Sequence, residues 1–138
     1  MTEDFPAAVP EIPVKDLMEA ACYYEKCLGF SLDWGRDDGG IAQVSRGNSR
    51  LFLTDQPFRA SNPNGNSGPM ILWFNLDNRQ QVDELHSQWS GNGARIFYPP
   101  AAKPWHLYEF AAQDLDGNML RVFYDFAWEL PDRGGRQS

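Results

Sequence analysis

One short segment of the chain occurs twice, half a chain length apart. Residues 42–48 (AQVSRGN) match residues 112–118 (AQDLDGN) at a constant offset of 70. In both copies a Gly-Asn pair lies between two apolar segments, and glycine supplies the positive φ that a tight hairpin turn needs. A match that occurs only twice predicts two copies of one supersecondary unit rather than a long repeat array.

The elements around the two hairpins follow the same order in both halves. An extended segment with two prolines, residues 8–14, precedes a helix that Asp16 caps, and an apolar strand, residues 69–76, precedes a helix that Asn78 caps. The prolines of the first segment favour the edge of a sheet. Each helix is followed by one strand and then by the hairpin, so each half is predicted to be strand–helix–strand–strand–strand.

The predicted fold class is therefore α+β, with two tandem βαβββ modules that form a curved, mostly antiparallel half-barrel. One helix cannot cover both faces of a four-stranded sheet, so we expect the modules to combine around a concave cleft where a ligand would bind. The 138 residues are expected to form a single domain. Its parts are module one at about 7–56, a linker at 57–68, module two at about 69–126 and a tail at 127–138.

The net charge of −7 bears on the kind of partner. The 12 Lys and Arg residues are scattered, which argues against a nucleic-acid interface, and a cationic small molecule suits this field better than an anion. Residues 1–8 do not resemble a signal peptide and no apolar run is long enough to span a membrane, so we expect a cytoplasmic protein. Cys22 and Cys27 lie roughly 140° apart around a helix, which disfavours a disulfide or a shared metal.

Three motifs resemble the vicinal oxygen chelate superfamily, which includes glyoxalase I, extradiol dioxygenases, fosfomycin-resistance enzymes and bleomycin-resistance proteins. They are residues 14–17 (VKDL), 24–30 (YEKCLGF) and 114–118 (DLDGN). The resemblance covers about residues 7–126 and implies a pair of βαβββ modules, as the repeat does. The resemblance is specific for the fold, but it does not predict a reaction, because members of the superfamily share no single chemistry.

Enzymes of this superfamily hold a divalent metal with His, Gln or Glu side chains that point into the cleft. At the corresponding positions this chain has about Val9 (with Glu11 as an alternative), Arg50, Ile71 and Arg121. Aliphatic side chains and guanidinium groups offer no lone pair to a metal. We therefore expect neither a metal nor another cofactor, and the resemblance is closest to the bleomycin-resistance proteins, which bind drugs without chemistry.

Further segments are similar to that branch. Residues 8–10 (AVP) resemble the start of an arm that exchanges between subunits, which implies a homodimer whose N-terminal strand can be swapped. Residues 30–34 (FSLDW) with the following acidic pair, and residues 104–105 (PW) with 109–111 (EFA), resemble other segments of those proteins. Residues 106–108 (HLY) depart from the pattern, which leaves the shape of one cleft wall, and hence the ligand, open.

The candidate ligand-binding residues are aromatic, acidic or imidazole side chains. Tryptophans could stack on a planar cation, and aspartates could bind its amines, although Asp37 and Asp38 also suit an ordinary turn. A charge at Glu109 among apolar neighbours could contact a ligand or pair with Arg50 or Arg121. We assign Trp89 to the core, expect His86 to be solvated, and find no partner that would make His106 part of a recognisable catalytic dyad. The candidates are Trp34, Trp73, Trp105, Asp33, Asp38, His106 and Glu109.

The sequence thus predicts a homodimeric, metal-free protein of the bleomycin-resistance type. It would sequester cationic aromatic ligands, such as drugs of the bleomycin class, in clefts at the subunit interface. Two alternatives stay open: a metal-dependent glyoxalase-like lyase or dioxygenase, and a superfamily member that binds an unrelated metabolite.

Overall fold

A computed structural model of the protein describes residues 5–35, 39–60, 62 and 68–131. The chain divides into two compact units, Met1–Met70 and Ile71–Ser138. Each unit contains a four-stranded sheet of mixed direction together with helices. The elements of the first unit are β1 (Glu11–Pro13), α1 (Leu17–Lys26), β2 (Ser31–Trp34), β3 (Ile41–Arg46), β4 (Ser49–Thr54) and α2 (Gln56–Arg59).

The strand order of the first sheet is β1-β4-β3-β2, with β1 parallel to β4 and the other pairs antiparallel. Because side chains alternate across a strand, one face of this sheet is apolar and packs on α1. Its residues are buried, and α1 contributes small and aromatic side chains to the same core. The core includes Tyr24, Leu28, Ala42, Val44, Leu51 and Leu53.

The second sheet has the equivalent order, β5-β8-β7-β6, with β5 parallel to β8. Phe110, Leu120 and Val122 lie in its core, and the Phe110 and Trp89 rings meet edge to face at 5.6 Å. The shared order confirms the predicted pair of βαβββ modules and the α+β class. The elements are β5 (Ile71–Asn75), α3 (Arg79–Gly91), β6 (Arg95–Ala102), β7 (Leu107–Gln113), β8 (Met119–Asp125) and a 3₁₀ helix, Phe126–Glu129.

Both long helices begin where the sequence predicts. The Asp16 carboxylate accepts a hydrogen bond from the Glu19 N–H at 3.0 Å, and the Asn78 side-chain oxygen accepts one from the Gln81 N–H at 2.8 Å. The Gln81 side chain reaches back to accept from the N–H of Asp77, the residue before the N-cap, at 2.8 Å. No helix in the described part of the chain is long and apolar enough to cross a membrane.

The two hairpins are confirmed, but their turns differ in length. β3 and β4 are joined by two residues, with Gly47 at φ +57°, whereas five residues join β7 to β8, with Gly117 at φ +84°. In the longer turn the Asp114 carboxylate accepts from the N–H groups of Asp116 and Asn118, at 2.8 and 2.9 Å. Residues 44–46 therefore lie in a strand, while residues 114–116, which match them at the offset of 70, form a turn.

Residues 99–104 (PPAAKP) have the proline content that indicates a loop, but residues 99–102 lie in a strand. Pro99 and Pro100 lie inside β6, which continues to Ala102, and the pairing of β6 with β7 is irregular on either side of Tyr98. β6 is an edge strand, and an edge strand tolerates prolines because one side of its backbone has no neighbouring strand to bond.

Two short helices lie in segments where the sequence indicated a linker and a tail. α2 begins at residue 56, where the Asp55 carboxylate accepts from the Phe58 N–H at 3.0 Å, and the Arg59 guanidinium donates to the Thr54 carbonyl. The 3₁₀ helix after β8 is capped by Asp125. The rest of the tail, residues 132–138, lies outside the described residues, as do residues 61 and 63–67 of the linker.

Candidate functional site

The face of the second sheet opposite α3 carries a cluster of aromatic and charged side chains. Leu120 and Val122 of β8 are buried on the α3 side, so Arg121 points to the opposite face. Trp73 of β5 lies beside Arg121 in the strand register. Tyr98 of β6 and Glu109 of β7 lie on the same face, and Trp105 approaches from the turn before β7. We call Trp73, Tyr98, Trp105, Glu109 and Arg121 the tryptophan cluster.

Glu109 lies at the centre of this cluster and its side chain is fully buried. One carboxylate oxygen accepts a hydrogen bond from the Trp105 indole N–H at 2.9 Å. The other accepts from the Tyr98 hydroxyl and from the Arg121 guanidinium, whose Nε and Nη2 lie at 2.9 and 2.8 Å. Of the two arginines considered as partners of Glu109, Arg121 is the one that pairs with it.

These contacts determine the ionisation of the cluster. Burial alone would raise the pKa of Glu109, but hydrogen bonds from Tyr98, Trp105 and Arg121 and the Arg121 charge together lower that pKa below its ordinary value. Burial, followed by the bond to Glu109, raises the pKa of the Tyr98 hydroxyl to about 12. The cluster therefore holds a carboxylate, a guanidinium and a neutral phenol at neutral pH, with the two charges in balance.

Both tryptophans of the cluster are held in place and remain accessible. The Arg121 guanidinium stacks 4.0 Å from the centre of the Trp73 ring, which also meets Phe123 edge to face at 5.7 Å. Trp73 is 47% exposed and Trp105 is 54% exposed. Such rings offer flat, fixed apolar surface to a planar ligand.

The face of the first sheet opposite α1 carries the third predicted tryptophan. Trp34 is 45% exposed, and its ring packs against Phe52 with centroids 5.6 Å apart. Asp33, at an irregularity in β2, accepts from the Gln43 side chain at 2.8 Å. That bond is the main reason why the pKa of Asp33 is lowered, with smaller contributions from Ser45 and the Arg50 charge. Asp33 is therefore an exposed carboxylate beside an aromatic pair.

The remaining predicted residues are placed as follows. Asp38, with Asp37, lies outside the described residues. His106 is exposed in the turn before β7 with φ +69°, and its ring lies 5.6 Å from Phe126. Trp89 is a core residue, as predicted, with 2% exposure. His86 is not fully solvated as expected but half-buried, with its ring 5.3 Å from that of Phe110.

The donor set that a divalent metal would need is not assembled at the positions that the superfamily uses. Arg121 is engaged with Glu109, Arg50 donates weakly to Gln43 at 3.5 Å, and Ile71 offers no donor atom. Among the described residues there is no group of three or more His, Cys, Asp or Glu side chains that could hold a metal ion. The side chains at these positions do not fit a metal.

Sequence reasoning missed two members of this face, Tyr98 and Lys103. The Lys103 ammonium lies 4.1 Å from the centre of the Tyr98 ring, and Tyr98 bonds to Glu109 across the strand pair. Alternation along β6 could have placed Tyr98 on the face opposite α3, but the irregular pairing around the prolines hides the register.

A model of the Glyoxalase/Bleomycin resistance protein/Dioxygenase superfamily matches residues 7–122 of the chain. The chain belongs to this superfamily. No curated protein sequence matches it significantly.

Solved structures support the same fold. The chain is similar to a glyoxalase/bleomycin resistance protein/dioxygenase from Nocardioides, with a TM-score of 0.72 and 18% identity over 89% of this chain and 85% of the other. TioX from Micromonospora sp. ML1 gives a TM-score of 0.69 and 19% identity, covering 87% and 99%. Lactoylglutathione lyase from Agrobacterium tumefaciens gives 0.67 and 22%, covering 91% and 98%. At these identities the likeness establishes the fold alone.

Proposed function

We propose that this superfamily member is a metal-free binding protein of the bleomycin-resistance type, which sequesters a planar, cationic aromatic small molecule. The observation that carries the proposal is the tryptophan cluster. Two half-exposed tryptophans on one sheet face are held by a single buried carboxylate, and an arginine stands where the superfamily's enzymes carry a metal-binding glutamate.

The cluster is organised for stacking. Glu109 holds Trp105 directly through the indole N–H, and it holds Trp73 indirectly through Arg121, whose guanidinium covers part of that ring. A ring that is already fixed loses little conformational entropy when a ligand stacks on it, so more of the contact energy contributes to affinity. This arrangement favours a ligand with an extended flat surface.

Arg121 is the basis for proposing binding without a metal. Its guanidinium has no lone pair for a metal, and its positive charge beside Glu109 would repel a divalent cation. A protein that protects by sequestration needs only tight binding, because it releases no product and performs no turnover.

The charge of the chain favours a cationic ligand. The net charge is −7 and the charges within the tryptophan cluster balance, so the overall field attracts cations without a local penalty at the stacking surface.

We also propose that the protein is a homodimer, because each sheet ends in edge strands, which are commonly covered by another chain. Analytical ultracentrifugation that finds only monomer would reject the dimer.

The test is a tryptophan-fluorescence titration with a bleomycin-class drug, both metal-free and copper-loaded. We expect quenching at about micromolar drug, an affinity near −8 kcal/mol. Trp105→Phe and Trp73→Phe should each remove a large part of the quenching and weaken binding, because each removes one stacking surface. Trp128→Phe is the matched control, since Trp128 is 62% exposed but lies in the 3₁₀ helix rather than in the cluster.

Two results would reject the proposal. One is unchanged fluorescence of the wild-type protein throughout the titration. The other is near-stoichiometric nickel, zinc or iron in the purified protein by elemental analysis, because that would indicate a metal-dependent lyase or dioxygenase of the same superfamily.

A further inference from the structure

The loop that joins β6 to β7 carries Trp105 and is closed by two backbone hydrogen bonds. The His106 N–H donates to the Lys103 carbonyl at 2.9 Å, and the Lys103 N–H donates to the Leu107 carbonyl at 2.9 Å. Three residues, 104–106, lie between these bonded ends. This is the pattern of a three-residue hairpin loop, whose third position is left-handed and favours glycine. We call residues 103–107 the Trp105 loop.

His106 occupies the glycine position of this loop. Its φ is +69°, and it is the one non-glycine residue with a positive φ in the described part of the chain. A Cβ makes this conformation costly, so it persists only where the surrounding structure fixes it. Residues held in this way are concentrated at ligand-binding and catalytic sites, so the conformation of His106 calls for a functional explanation.

Contacts at both ends of the Trp105 loop fix this conformation. The His106 carbonyl accepts a hydrogen bond from the Phe126 N–H at 3.0 Å, and the imidazole lies 5.6 Å from the Phe126 ring. At the other end of the loop, the Lys103 ammonium lies 4.1 Å from the centre of the Tyr98 ring. The loop is therefore fastened to the 3₁₀ helix on one side and to β6 on the other.

The orientation of Trp105 depends on the loop that carries it. Trp105 is 54% exposed, yet its indole N–H reaches the buried Glu109 carboxylate at 2.9 Å. Trp105 directly precedes His106. If the backbone of His106 moved to the right-handed region, the loop would have to rearrange and the indole would leave the carboxylate.

We propose that His106 is a positioning residue, whose left-handed backbone and contacts with Phe126 hold the Trp105 indole on Glu109. This inference rests on the proposed function, and it adds the residue that fixes one of the two stacking surfaces. On this account position 106 requires a residue that can take a positive φ, and the imidazole itself does not contact the ligand.

The position of the imidazole supports an indirect role. The Phe126 ring on which it packs also lies 4.9 Å from the Arg79 guanidinium of α3. The His106 side chain therefore lies towards the α3 side of the second unit. The indole of Trp105 bonds instead to Glu109, on the face opposite α3 where the ligand is expected to stack.

The first measurement uses the free protein and follows indole N–H resonances by NMR. The Trp105 resonance, identified as the signal missing from Trp105→Phe, should lie downfield of an exposed indole, because its N–H donates to a carboxylate. His106→Val should move it to the position of an exposed indole, because a β-branched residue strongly disfavours positive φ. His106→Gly should keep it in place, because glycine adopts positive φ readily.

The second measurement is a fluorescence titration with N-methylacridinium, a planar organic cation. His106→Val should weaken binding by about tenfold, the loss expected for one aromatic stacking surface, and His106→Gly should stay within about threefold of the wild type. In a Trp105→Ala background, His106→Val should have no further effect on affinity, because His106 acts through Trp105.

The matched control is Gly93→Val, which puts the same side chain at φ +88° in the same unit, with nothing within 4 Å of the new Cβ. It should lower the melting temperature, as His106→Val does, and leave the Trp105 resonance and the affinity unchanged. Thermal unfolding reports that each variant is folded. If His106→Val does not fold, His106→Ala replaces it and should move the resonance in the same direction by less.

The outcomes separate the two proposals. An unchanged Trp105 resonance in His106→Val would overturn the positioning role. Equal weakening by His106→Gly and His106→Val would also overturn it, because the imidazole would then contact the ligand directly; the stacking function stands in both cases. If the wild type does not bind N-methylacridinium although the resonance moves as expected, the stacking function fails and His106 still positions Trp105.

Discussion

Replacing Glu109 by glutamine tests the central contact of the tryptophan cluster. The substitution keeps the size of the side chain and removes its charge. The carboxylate accepts from the Trp105 indole, the Tyr98 hydroxyl and two nitrogens of Arg121. An amide has one oxygen, and its NH₂ group cannot accept, so at least one of these donors is left facing another donor. Arg121 also loses its counter-charge.

The expected loss of stability follows from burial. Removing one partner of a buried ion pair costs about 3–5 kcal/mol. The Glu109 side chain is fully buried, but the Arg121 side chain is 23% exposed, so water compensates part of its charge. We expect the low end, about 3 kcal/mol. At about 2–4 °C per kcal/mol for a chain of this size, the melting temperature should fall by about 10 °C.

The loss of stability in Glu109→Gln should depend on pH. The folded-state pKa of Glu109 is lowered, so its stabilising contribution is complete above the pKa of an unfolded glutamate and is lost as the pH falls through the lower, folded-state pKa. The difference in unfolding free energy between wild type and Glu109→Gln should therefore be largest near neutral pH. It should shrink on acidification below the ordinary glutamate range, because the protonated wild type resembles the variant.

Urea unfolding of the two proteins over a pH series measures both quantities. Glu25→Gln serves as the control, because this exposed glutamate should change the unfolding free energy by no more than about 0.5 kcal/mol. A Glu109→Gln protein as stable as the wild type, or a stability gap that does not vary with pH, would refute the reasoning.

Three further predictions concern the scaffold. Gly35→Ala would place a Cβ 2.4 Å from the backbone of β3 at a residue with φ +99°, and it should lower the unfolding free energy in urea by about 3 kcal/mol or more. Gly47→Ala has φ +57° and open space around the new Cβ, so it should cost only about 1 kcal/mol. Equal losses for the two variants would contradict this account. Asn78→Ala removes the cap of α3 and should cost about 1 kcal/mol by thermal unfolding, and no loss would mean that the cap is dispensable. Arg79→Gln breaks the 2.7 Å ion pair with Glu129 and should lower the melting temperature only slightly, because both side chains are 43% exposed; amide exchange of the 3₁₀ helix should accelerate, and unchanged exchange would show that the pair does not hold it.

The elements that the sequence predicted correctly depend on neighbours along the chain. A helix cap needs a side-chain oxygen and an N–H three residues later, which is why Asp16 and Asn78 could be identified. A hairpin turn needs a residue that tolerates positive φ, and Gly47 and Gly117 supply it.

Two features could not be predicted from neighbours along the chain, because they depend on position within the sheet. The prolines of β6 indicate a loop when only their neighbours are considered, and only the edge position of the strand makes them compatible with pairing. The exposure of a tryptophan is likewise not a local property. Trp73 and Trp89 have the same side chain, yet the first is half-exposed and the second is buried, because they occupy opposite sides of the second sheet.

By itself, the sequence determined the duplicated strand order, the helix starts and the hairpins, because each of these follows from residue types at fixed spacing. Only the tertiary structure decided which of two arginines pairs with Glu109, and that Trp105 and Tyr98 share its carboxylate. These facts depend on strand register and burial, which join residues that are far apart in the chain.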